Sequence, residues 1–259
     1  MNEGLYRMLT DNLDYKLIKP KPPLADFVDF FWMLNNNSNE EQEVVVLPDG
    51  RIDLLFTVSS VEPYRVMLMG IGTEAGISAI LPSSKIFGIS FNLLAVEYIL
   101  ETTVSSFLNS INQLSDNFWG ISENDLSDFE KFFKKVSEKM LSLLTKEVDE
   151  RKRKLFQLIY SSNGTMPVKE LSENVFWSSR QINRYFNQQF ELSLKTYCNI
   201  LRFRASFPHL KEGKLYPEQN YSDQAHFIKE VKRFSGVVPK ELSKNKDNRF
   251  VHFTTLPKK

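Results

Sequence analysis

The sequence predicts an α+β protein of two domains: residues 1–150 form a β-rich domain that ends in helices, and residues 151–259 form an all-helical domain. Three observations support this prediction. The first part of the chain contains short β-type runs, helical periodicity follows, and the two halves carry opposite charge. A chain of 259 residues with 42% apolar and 13% aromatic residues has enough material for a core in each domain.

Short strands are predicted in the first ninety residues. The run EVVVLPDGRIDLLFTV places two aliphatic, β-branched segments on either side of Asp49-Gly50. Because Asp-Gly readily adopts the positive φ angles of a tight turn, this run predicts a β-hairpin. Further strands are expected at 65–69, 77–81 and 86–91, with glycine- and proline-containing turns between them. Such a series of short strands favours a small barrel or sandwich.

Helical spacing begins near Leu93, and an apolar stripe between Phe129 and Leu144 predicts a long amphipathic helix. This helix either packs on the barrel or pairs with its copy in a homodimer, and both alternatives are open. Pro167 is expected to open a later helix. The tail, RFVHFTT, alternates like a strand, and it either docks on the other domain or is an unpacked end.

The charge distribution assigns different partners to the two halves. Residues 1–150 carry 12 Lys and Arg against 23 Asp and Glu, a net charge of −11, whereas residues 151–259 carry 21 against 9, a net charge of +12. A basic surface releases counterions from phosphates, while an acidic surface is repelled by the same polyanion. We therefore expect only the second half to contact nucleic acid.

Composition also narrows the class of protein. No run approaches the roughly 18 apolar residues of a membrane span, and the first residues lack the apolar core of a secretory signal, so we expect a cytoplasmic protein with no membrane partner. The single cysteine, Cys198, excludes an internal disulfide and any multi-cysteine zinc site. It lies on an apolar helical stripe, which predicts a buried, inert thiol.

No catalytic residues, metal or cofactor are predicted. All three histidines, His209, His226 and His252, lie in the C-terminal half, so a histidine-based metal site is not expected in the barrel. The carboxylates that remain are interpreted as solvated hairpin and loop groups, namely Asp49, Asp53, Glu62 and Glu74. Phosphate-cradling and GxSxG motifs are absent, so we do not expect an enzyme.

The C-terminal half contains an internal repeat. Segments 178–195 and 223–240, offset by 45 positions, share a helix-capping residue, an apolar stripe and a cationic polar stripe. In the first segment Ile182, Phe186 and Phe190 form the apolar stripe, and the opposite face carries Arg180, Asn183, Arg184 and Asn187. In the second, Phe227, Val231 and Phe234 are the apolar residues, and the polar face carries Gln224, Ala225, Lys229 and Lys232.

This polar face suits recognition of DNA bases. Forked arginine donors match guanine, and side-chain amides match adenine in the major groove. A short helix and a turn, VKELSENVFWSS, precede the first segment, which predicts a helix-turn-helix. The stripe that joins the segments, from Leu194 to Ala205, predicts a rigid connecting helix. Two recognition helices in successive major grooves lie roughly 34 Å apart unless the DNA bends. His226 either touches a phosphate or packs against its neighbours.

The runs SSRQINRYFNQQFELSLKTYCNILRFRAS and NYSDQAHFIKEVKRFSGVVPKEL resemble the tandem helix-turn-helix domain of AraC-type bacterial transcription regulators. The N-terminal half resembles the uncharacterised sensory-type domain of one AraC branch through LADFVDFFW, LPDGRIDLLF and FGISFNLLAVEYIL. The resemblance implies double-stranded DNA and the transcription machinery as partners. It places the base contacts at Ser179, Arg180, Asn183, Arg184, Gln224, Ala225 and Lys229.

Several residues depart from the AraC pattern. Phe176 and Glu191 stand where the family usually has glycine, so we expect the first turn to differ, because left-handed geometry costs non-glycine residues stability. Asn220 replaces a further glycine, which asparagine tolerates. The stretch 215–221 is about one helical turn short, Pro208 interrupts the connecting helix, and Pro217 discourages a full helix there. The first unit is therefore expected to contribute more base contacts than the second.

Together these features predict a sequence-specific DNA-binding transcription regulator that inserts two recognition helices into the major groove. Control by a small-molecule effector of the N-terminal domain is a hypothesis that rests on its barrel-like pattern and separate charge. Two alternatives stay open: a protein-interaction module whose basic half holds polyanions without sequence preference, and an enzyme in a small barrel. A sequence-specific regulator should keep its preference for one duplex as salt rises, whereas a polyanion binder should not.

Overall fold

A computed structural model describes residues 6–9, 12–101, 108–216 and 221–255 of the chain. The protein is α+β, as the sequence predicts, with an antiparallel sandwich-like N-terminal part followed by helices. The strands are β1 (Tyr6–Leu9), β2 (Leu13–Ile18), β3 (Val28–Asn36), β4 (Gln42–Val46), β5 (Ile52–Val58), β6 (Arg65–Met69), β7 (Gly76–Ile80), β8 (Lys85–Phe91) and β9 (Ile111–Leu114).

The helices are α1 (Ala95–Tyr98), α2 (Phe129–Leu143), α3 (Glu150–Ser161), α4 (Val168–Val175), α5 (Ser179–Phe190), α6 (Leu194–Ala205), α7 (Phe207–Lys211), α8 (Gln224–Ser235), α9 (Pro239–Lys244) and α10 (Val251–Thr254). Helix α1 lies between β8 and β9, and the other helices follow the strands in the chain. Short 3-10 turns lie at Leu24–Asp26, Phe118–Gly120, Glu123–Ser127 and Lys246–Asn248. The long helix predicted before residue 150 and the helices of both repeated segments are therefore present.

Seven strands form one antiparallel sheet in the order β1-β2-β3-β8-β5-β6-β9, and β4 pairs with β7 in a separate two-stranded sheet. Alternate residues of the large sheet point to opposite faces. One face packs on α2: the ring centroids of Phe31 and Phe133 lie 4.8 Å apart, and those of Phe56 and Phe132 lie 5.2 Å apart. The apolar stripe of α2 is therefore buried within its own chain rather than against a second copy.

The other face of the large sheet is covered by the two-stranded sheet. Leu34 of β3, Val44 of β4 and Ile80 of β7 share a small buried cluster between the sheets. In the middle of this face the indole of Trp32 lies across Gly88 of β8, where a Cβ atom would come within 2.2 Å of the indole. Glycine at this position therefore makes room for the indole.

The hairpin predicted around Asp49-Gly50 is wrong. β4 pairs with β7, and β5 pairs with β6 and β8, so the segment between them crosses from one sheet to the other. Gly50 does adopt a positive φ of 77°, and it makes a long-range contact in which its carbonyl accepts a hydrogen bond of 3.0 Å from the Tyr197 hydroxyl. A Cβ on Gly50 would lie 3.0 Å from the Leu201 side chain, so α6 packs directly on this turn.

The tail is helical rather than a strand. Phe250 and Phe253, three positions apart, are both 1% exposed, and a helix places residues at this spacing on one face. Before the helix, the Val45 N–H donates to the Arg249 carbonyl over 2.6 Å, and Val45 and Phe250 form a parallel bridge. The tail therefore docks on β4 of the N-terminal sandwich.

The connecting helix is interrupted as the sequence predicts. α6 ends at Ala205 and α7 begins at Phe207, with Pro208 in the first turn of α7, where its missing N–H costs nothing. Earlier in the chain, Gly164 ends α3 with a φ of 69°, and a Cβ there would lie 2.6 Å from the Cys198 carbonyl oxygen. This glycine lets α3 and α6 approach closely.

Gly88→Ala is expected to lower the free energy of unfolding by about 1–3 kcal/mol, because the added methyl would overlap the Trp32 indole. Gly76→Ala is the matched control in an exposed strand, where a Cβ meets nothing within 4 Å. Its change should stay within about 0.5 kcal/mol in urea denaturation. Equal losses for the two variants would contradict the packing described for Trp32.

Candidate functional site

Helices α4 and α5 are joined by a tight turn in which Phe176 has left-handed geometry, with φ 55° and ψ 32°. Ser178 then caps α5: its hydroxyl accepts from the Gln181 N–H over 3.3 Å, and its own N–H donates to the Gln181 side chain over 2.8 Å. Glu191, after α5, is also left-handed with φ 48°. The altered turn expected from the missing glycines is not observed, because Phe176 and Glu191 adopt the left-handed conformation themselves.

Helix α5 separates an apolar face from a cationic face. Ile182, Phe186 and Phe190 are 0% exposed, whereas Arg180 and Arg184 are exposed. Within the described part of the chain, neither guanidinium is held in an ion pair, so their donors face solvent. Among the other predicted contact residues, Asn187 is exposed, and Ser179 and Asn183 are half-buried. One amide hydrogen of Asn183 is occupied by the Ser179 carbonyl at 2.9 Å.

Helix α8 repeats this arrangement at the same offset. α5 spans 179–190 and α8 spans 224–235, so both ends differ by 45 positions. Asp223 caps α8 through a 2.8 Å hydrogen bond from the His226 N–H, and Gly236 ends it with φ 76°. The apolar residues of α8 are 0% exposed, namely Phe227, Val231 and Phe234. The predicted contact residues on the opposite face are exposed, namely Gln224, Ala225, Lys229 and Lys232.

The structure tests some of the predictions for the second unit and leaves others open. Pro217 and Asn220 lie outside the described residues, so the predictions that concern them stay predictions. The His226 ring packs against Tyr221, with centroids 5.5 Å apart, and its Nδ1 lies 3.2 Å from the Ser222 hydroxyl. The packing alternative for His226 is thus the one that the structure displays.

Helix α6 packs against both candidate recognition helices. Tyr197 lies beside Phe186 of α5, with centroids 5.8 Å apart, and Phe203 stacks on Phe234 of α8 at 5.2 Å. Cys198 on the same helix is buried, as expected, and burial raises the pKa of its thiol to about 11. A common apolar spacer therefore holds the two helices at a fixed offset.

Asp29 of β3 joins the sandwich to this helical part. Its carboxylate accepts from Arg204 of α6 at 2.7 Å, from Arg51 at 3.0 Å and from Lys19 at 2.8 Å. Burial raises the pKa of Asp29, but the three cations outweigh it and hold the pKa well below its usual range. Residues 27–33 are an apolar, strand-like run interrupted by this one aspartate, which is the signal that sequence reasoning overlooked.

A second contact reaches α5 itself. The Tyr185 hydroxyl donates to the Glu97 carboxylate of α1, and Lys152 of α3 pairs with the same carboxylate. Nearby, the Leu93 N–H donates to the Tyr160 hydroxyl over 2.9 Å. Helix α5 thus presents its cationic face to solvent, while Tyr185, beside its buried apolar stripe, is hydrogen-bonded to the N-terminal part.

A cavity of about 320 Å³ lies between the two sheets of the sandwich. Asp53 of β5 lines it and is 8% exposed; the Ser90 hydroxyl donates to its carboxylate, and the Trp32 indole N–H donates to Ser90 over 3.1 Å. Burial, aided by the charge of Asp49, raises the pKa of Asp53 from 3.8 to about 7. The interpretation of Asp53 as a solvated loop group is therefore wrong, because the residue points between the sheets.

His252 corrects the expectation of a sandwich without histidine. Although it lies far along the chain, α10 brings it into the lining of the cavity, where its Nδ1 accepts from the Leu47 N–H over 3.2 Å. Its Nε2 is 3.9 Å from Asp49, yet burial dominates and lowers the pKa of His252. Among the described residues, no group of three His, Cys, Asp or Glu is arranged to hold a metal ion.

Comparison with known proteins covers the two halves unequally. The model of a family described as Domain of unknown function (DUF6597) matches residues 16–113, a range that includes all three N-terminal motifs. No curated protein matches the chain significantly.

In the part of the chain that the structure describes, no helix has both the length and the apolar character needed to cross a membrane.

Solved structures that resemble this chain include ToxT from Vibrio cholerae. One ToxT structure is 12% identical with a TM-score of 0.40, covering 95% of this chain and 98% of ToxT. A second, bound to (E)-4-(8-methylnaphthalen-1-yl)but-3-enoic acid, is 13% identical with a TM-score of 0.40, covering 93% and 97%. A third, bound to an unsaturated fatty acid, is 14% identical with a TM-score of 0.38, covering 93% and 96%.

Asp53→Asn is expected to change how stability depends on pH. Between about pH 4 and pH 7 the folded protein retains a proton on Asp53 that the unfolded chain releases, so this group's contribution to the free energy of unfolding falls as pH rises. The full contribution is on the order of 4 kcal/mol. The variant should therefore gain stability relative to wild type when urea denaturation is measured at about pH 8 rather than about pH 5.

Glu74→Gln provides a matched control, since Glu74 is exposed and does not line the cavity. Its pH dependence should follow that of the wild type. A stability difference between Asp53→Asn and wild type that is constant across this pH window would contradict the raised pKa.

Proposed function

We propose that this protein is a sequence-specific DNA-binding transcription regulator. Residues 151–259 would form the DNA-binding domain, and α5 and α8 would enter successive major grooves. The observation that carries the proposal is the pair of helices offset by 45 positions, each with a buried apolar face and a solvent-facing polar face, packed on the same helix α6. Such a pair of exposed helices matches the requirement for major-groove recognition.

The proposed base contacts are Ser179, Arg180, Asn183 and Arg184 on α5, and Gln224, Ala225 and Lys229 on α8. The two arginines are the strongest of these, because each presents forked donors to solvent and guanine offers a matching pair of acceptors. Asn183 would have to release its bond to the Ser179 carbonyl before it used both amide hydrogens on a base. The net charge of +12 over residues 151–259 supplies the phosphate attraction.

Residues 1–150 would form the regulatory domain, with an effector in the cavity between the sheets. The contacts of Asp29 with Arg204 and of Glu97 with Tyr185 support this part of the proposal, because they connect the sandwich to α6 and to α5. A ligand that favours one arrangement of the sandwich can then shift the positions of both helices. The transcription machinery and a second copy of the chain are further proposed partners in a bacterial cytoplasm.

A second candidate function is an enzyme with its active site in the cavity, because the buried carboxylate of Asp53 and the imidazole of His252 line the same cavity. Their arrangement argues against it. His252 is occupied by the Leu47 N–H through Nδ1, and Asp53 accepts from Ser90, which itself accepts from Trp32. These hydrogen bonds fix both side chains in the lining of the cavity, which suits ligand binding better than proton transfer.

Arg180→Ala should weaken binding to the preferred duplex by about 1–3 kcal/mol and relax the base preference at one position of the site. The preferred duplex is first selected from a random DNA pool, and affinities are measured by fluorescence anisotropy at several salt concentrations. Lys134→Ala is the charge-matched control, since this lysine is 79% exposed on α2, in the acidic half of the chain.

Lys134→Ala should leave both the affinity and the base preference unchanged. Unaltered affinity of Arg180→Ala for every duplex would overturn the assignment of the α5 face. Loss of all sequence preference by the wild type as salt rises would instead favour a non-specific polyanion binder.

A further inference from the structure

The cavity between the sheets has a composition that identifies a class of ligand. We propose that it binds a small apolar organic cation, with the cationic group at Asp53 and the apolar body between the two sheets. This inference rests on the proposed effector site and specifies the chemistry of the effector. It does not depend on whether α5 and α8 contact DNA.

The walls are apolar on both sides. Val44, Val46 and Ile80 line the cavity from the two-stranded sheet, and Leu55, Met67 and Met69 line it from the large sheet. The volume of about 320 Å³ lies at the lower end of the range typical of small-molecule sites. A ligand with a compact hydrocarbon or aromatic body fits these walls, and burial of its apolar surface would supply most of the affinity.

Aromatic residues line the same cavity as Asp53. Tyr15 and Trp32 both line the cavity, with ring centroids 6.4 Å apart, and Phe30 lies on the same strand as Trp32. The Trp32 ring is fixed by its close approach to Gly88 and by its hydrogen bond to Ser90. Ring faces attract cations, most strongly where water is excluded, so a fixed indole beside a carboxylate is a favourable place for an ammonium group.

The charge of the lining selects the sign of the ligand. Among the described lining residues, Asp49, Asp53 and Glu62 are acidic and Arg65 is the single Lys or Arg, and its guanidinium pairs with Glu62. His252 adds little positive charge, because burial lowers its pKa. Asp49 lies 4.0 Å from the Arg204 guanidinium, so Asp53 is the lining carboxylate that has no ion-pair partner among the described residues. An anionic ligand would meet this carboxylate without a balancing cation, which costs energy in a desolvated site.

A cationic ligand would stabilise the ionised carboxylate of Asp53. Its carboxyl is buried, and the charge of Asp49 further disfavours ionisation, which raises its pKa to about 7. A cation in the cavity would stabilise the ionised form and would form a charge-assisted hydrogen bond with it. The ligand would thus supply the counter-charge that the wall between the sheets lacks.

Helix α10 forms one wall of the same cavity and connects it to the DNA-binding half. Val251, His252 and Thr255 line the cavity. On its other side the tail contacts α7: Phe207 and Phe253 lie 5.1 Å apart, and Lys211 donates to the Phe253 carbonyl over 2.7 Å. A ligand in the cavity therefore touches the sandwich and a segment of the C-terminal half at once.

The test uses the full chain and three probes that share a phenylbutyl body: phenylbutylamine, phenylbutanol and phenylbutyrate. Binding is measured by isothermal titration calorimetry at neutral pH. The amine should bind at least about tenfold more tightly than the alcohol, corresponding to about 1.4 kcal/mol. The carboxylate should bind more weakly than the alcohol. This comparison uses wild-type protein and does not depend on the folding of any variant.

Asp53→Asn should bring the affinities of the amine and the alcohol within about threefold of each other, since an amide cannot pair with the ammonium as a charge. Glu74→Gln removes one carboxylate outside the cavity and should keep the preference for the amine. Tighter binding of the carboxylate than of the amine, a preserved amine preference in Asp53→Asn, or no binding of any probe would overturn the proposal.

The outcome separates this inference from the proposed function. Binding of the amine without any sequence-specific DNA binding would support the cavity assignment and contradict the regulator. Sequence-specific DNA binding without a preference for the amine would support the proposed regulator and contradict the cavity assignment.

Discussion

The carboxylate of Asp29 is the interaction on which the arrangement of the two halves depends. It is buried in the sandwich and is neutralised by Arg51 and Lys19 from its own half and by Arg204 from α6. A buried charge of this kind is tolerated only while its partners stay in place, because an unpaired one costs several kcal/mol. Movement of α6 away from the sandwich would therefore remove one of the three cations that balance this charge.

Local patterns were sufficient to predict the helical half. Cap residues, stripes at helical spacing and the 45-position offset are encoded within single segments, and the bounds of α5 and α8 follow them closely. The positive φ of Gly50 was likewise apparent from the Asp-Gly pair. The local pattern did not predict the contacts of that turn with α6, because Tyr197 and Leu201 lie about 150 positions away in the sequence.

Features that depend on distant pairing were missed or misinterpreted. The sequence pattern fits a hairpin between β4 and β5 as well as it fits the observed pairing. In the structure β4 pairs with β7 and β5 pairs with β8, so β4 and β5 do not pair with each other. The alternation in the tail suggested a strand, but Phe250 and Phe253 bury one helical face instead. The sequence near Asp53 suggests a loop carboxylate, because Trp32 and Ser90, which hold it in the sandwich, are distant in the chain.

The docking of the tail on β4 has a consequence for protein engineering. Exchange of the C-terminal part at a junction near residue 150 would also remove Val251 and His252, which line the cavity of the sandwich. A transplanted sandwich would then be open to water on that side. A recombinant design that keeps the cavity closed must graft the segment after α9 back onto its original sheet.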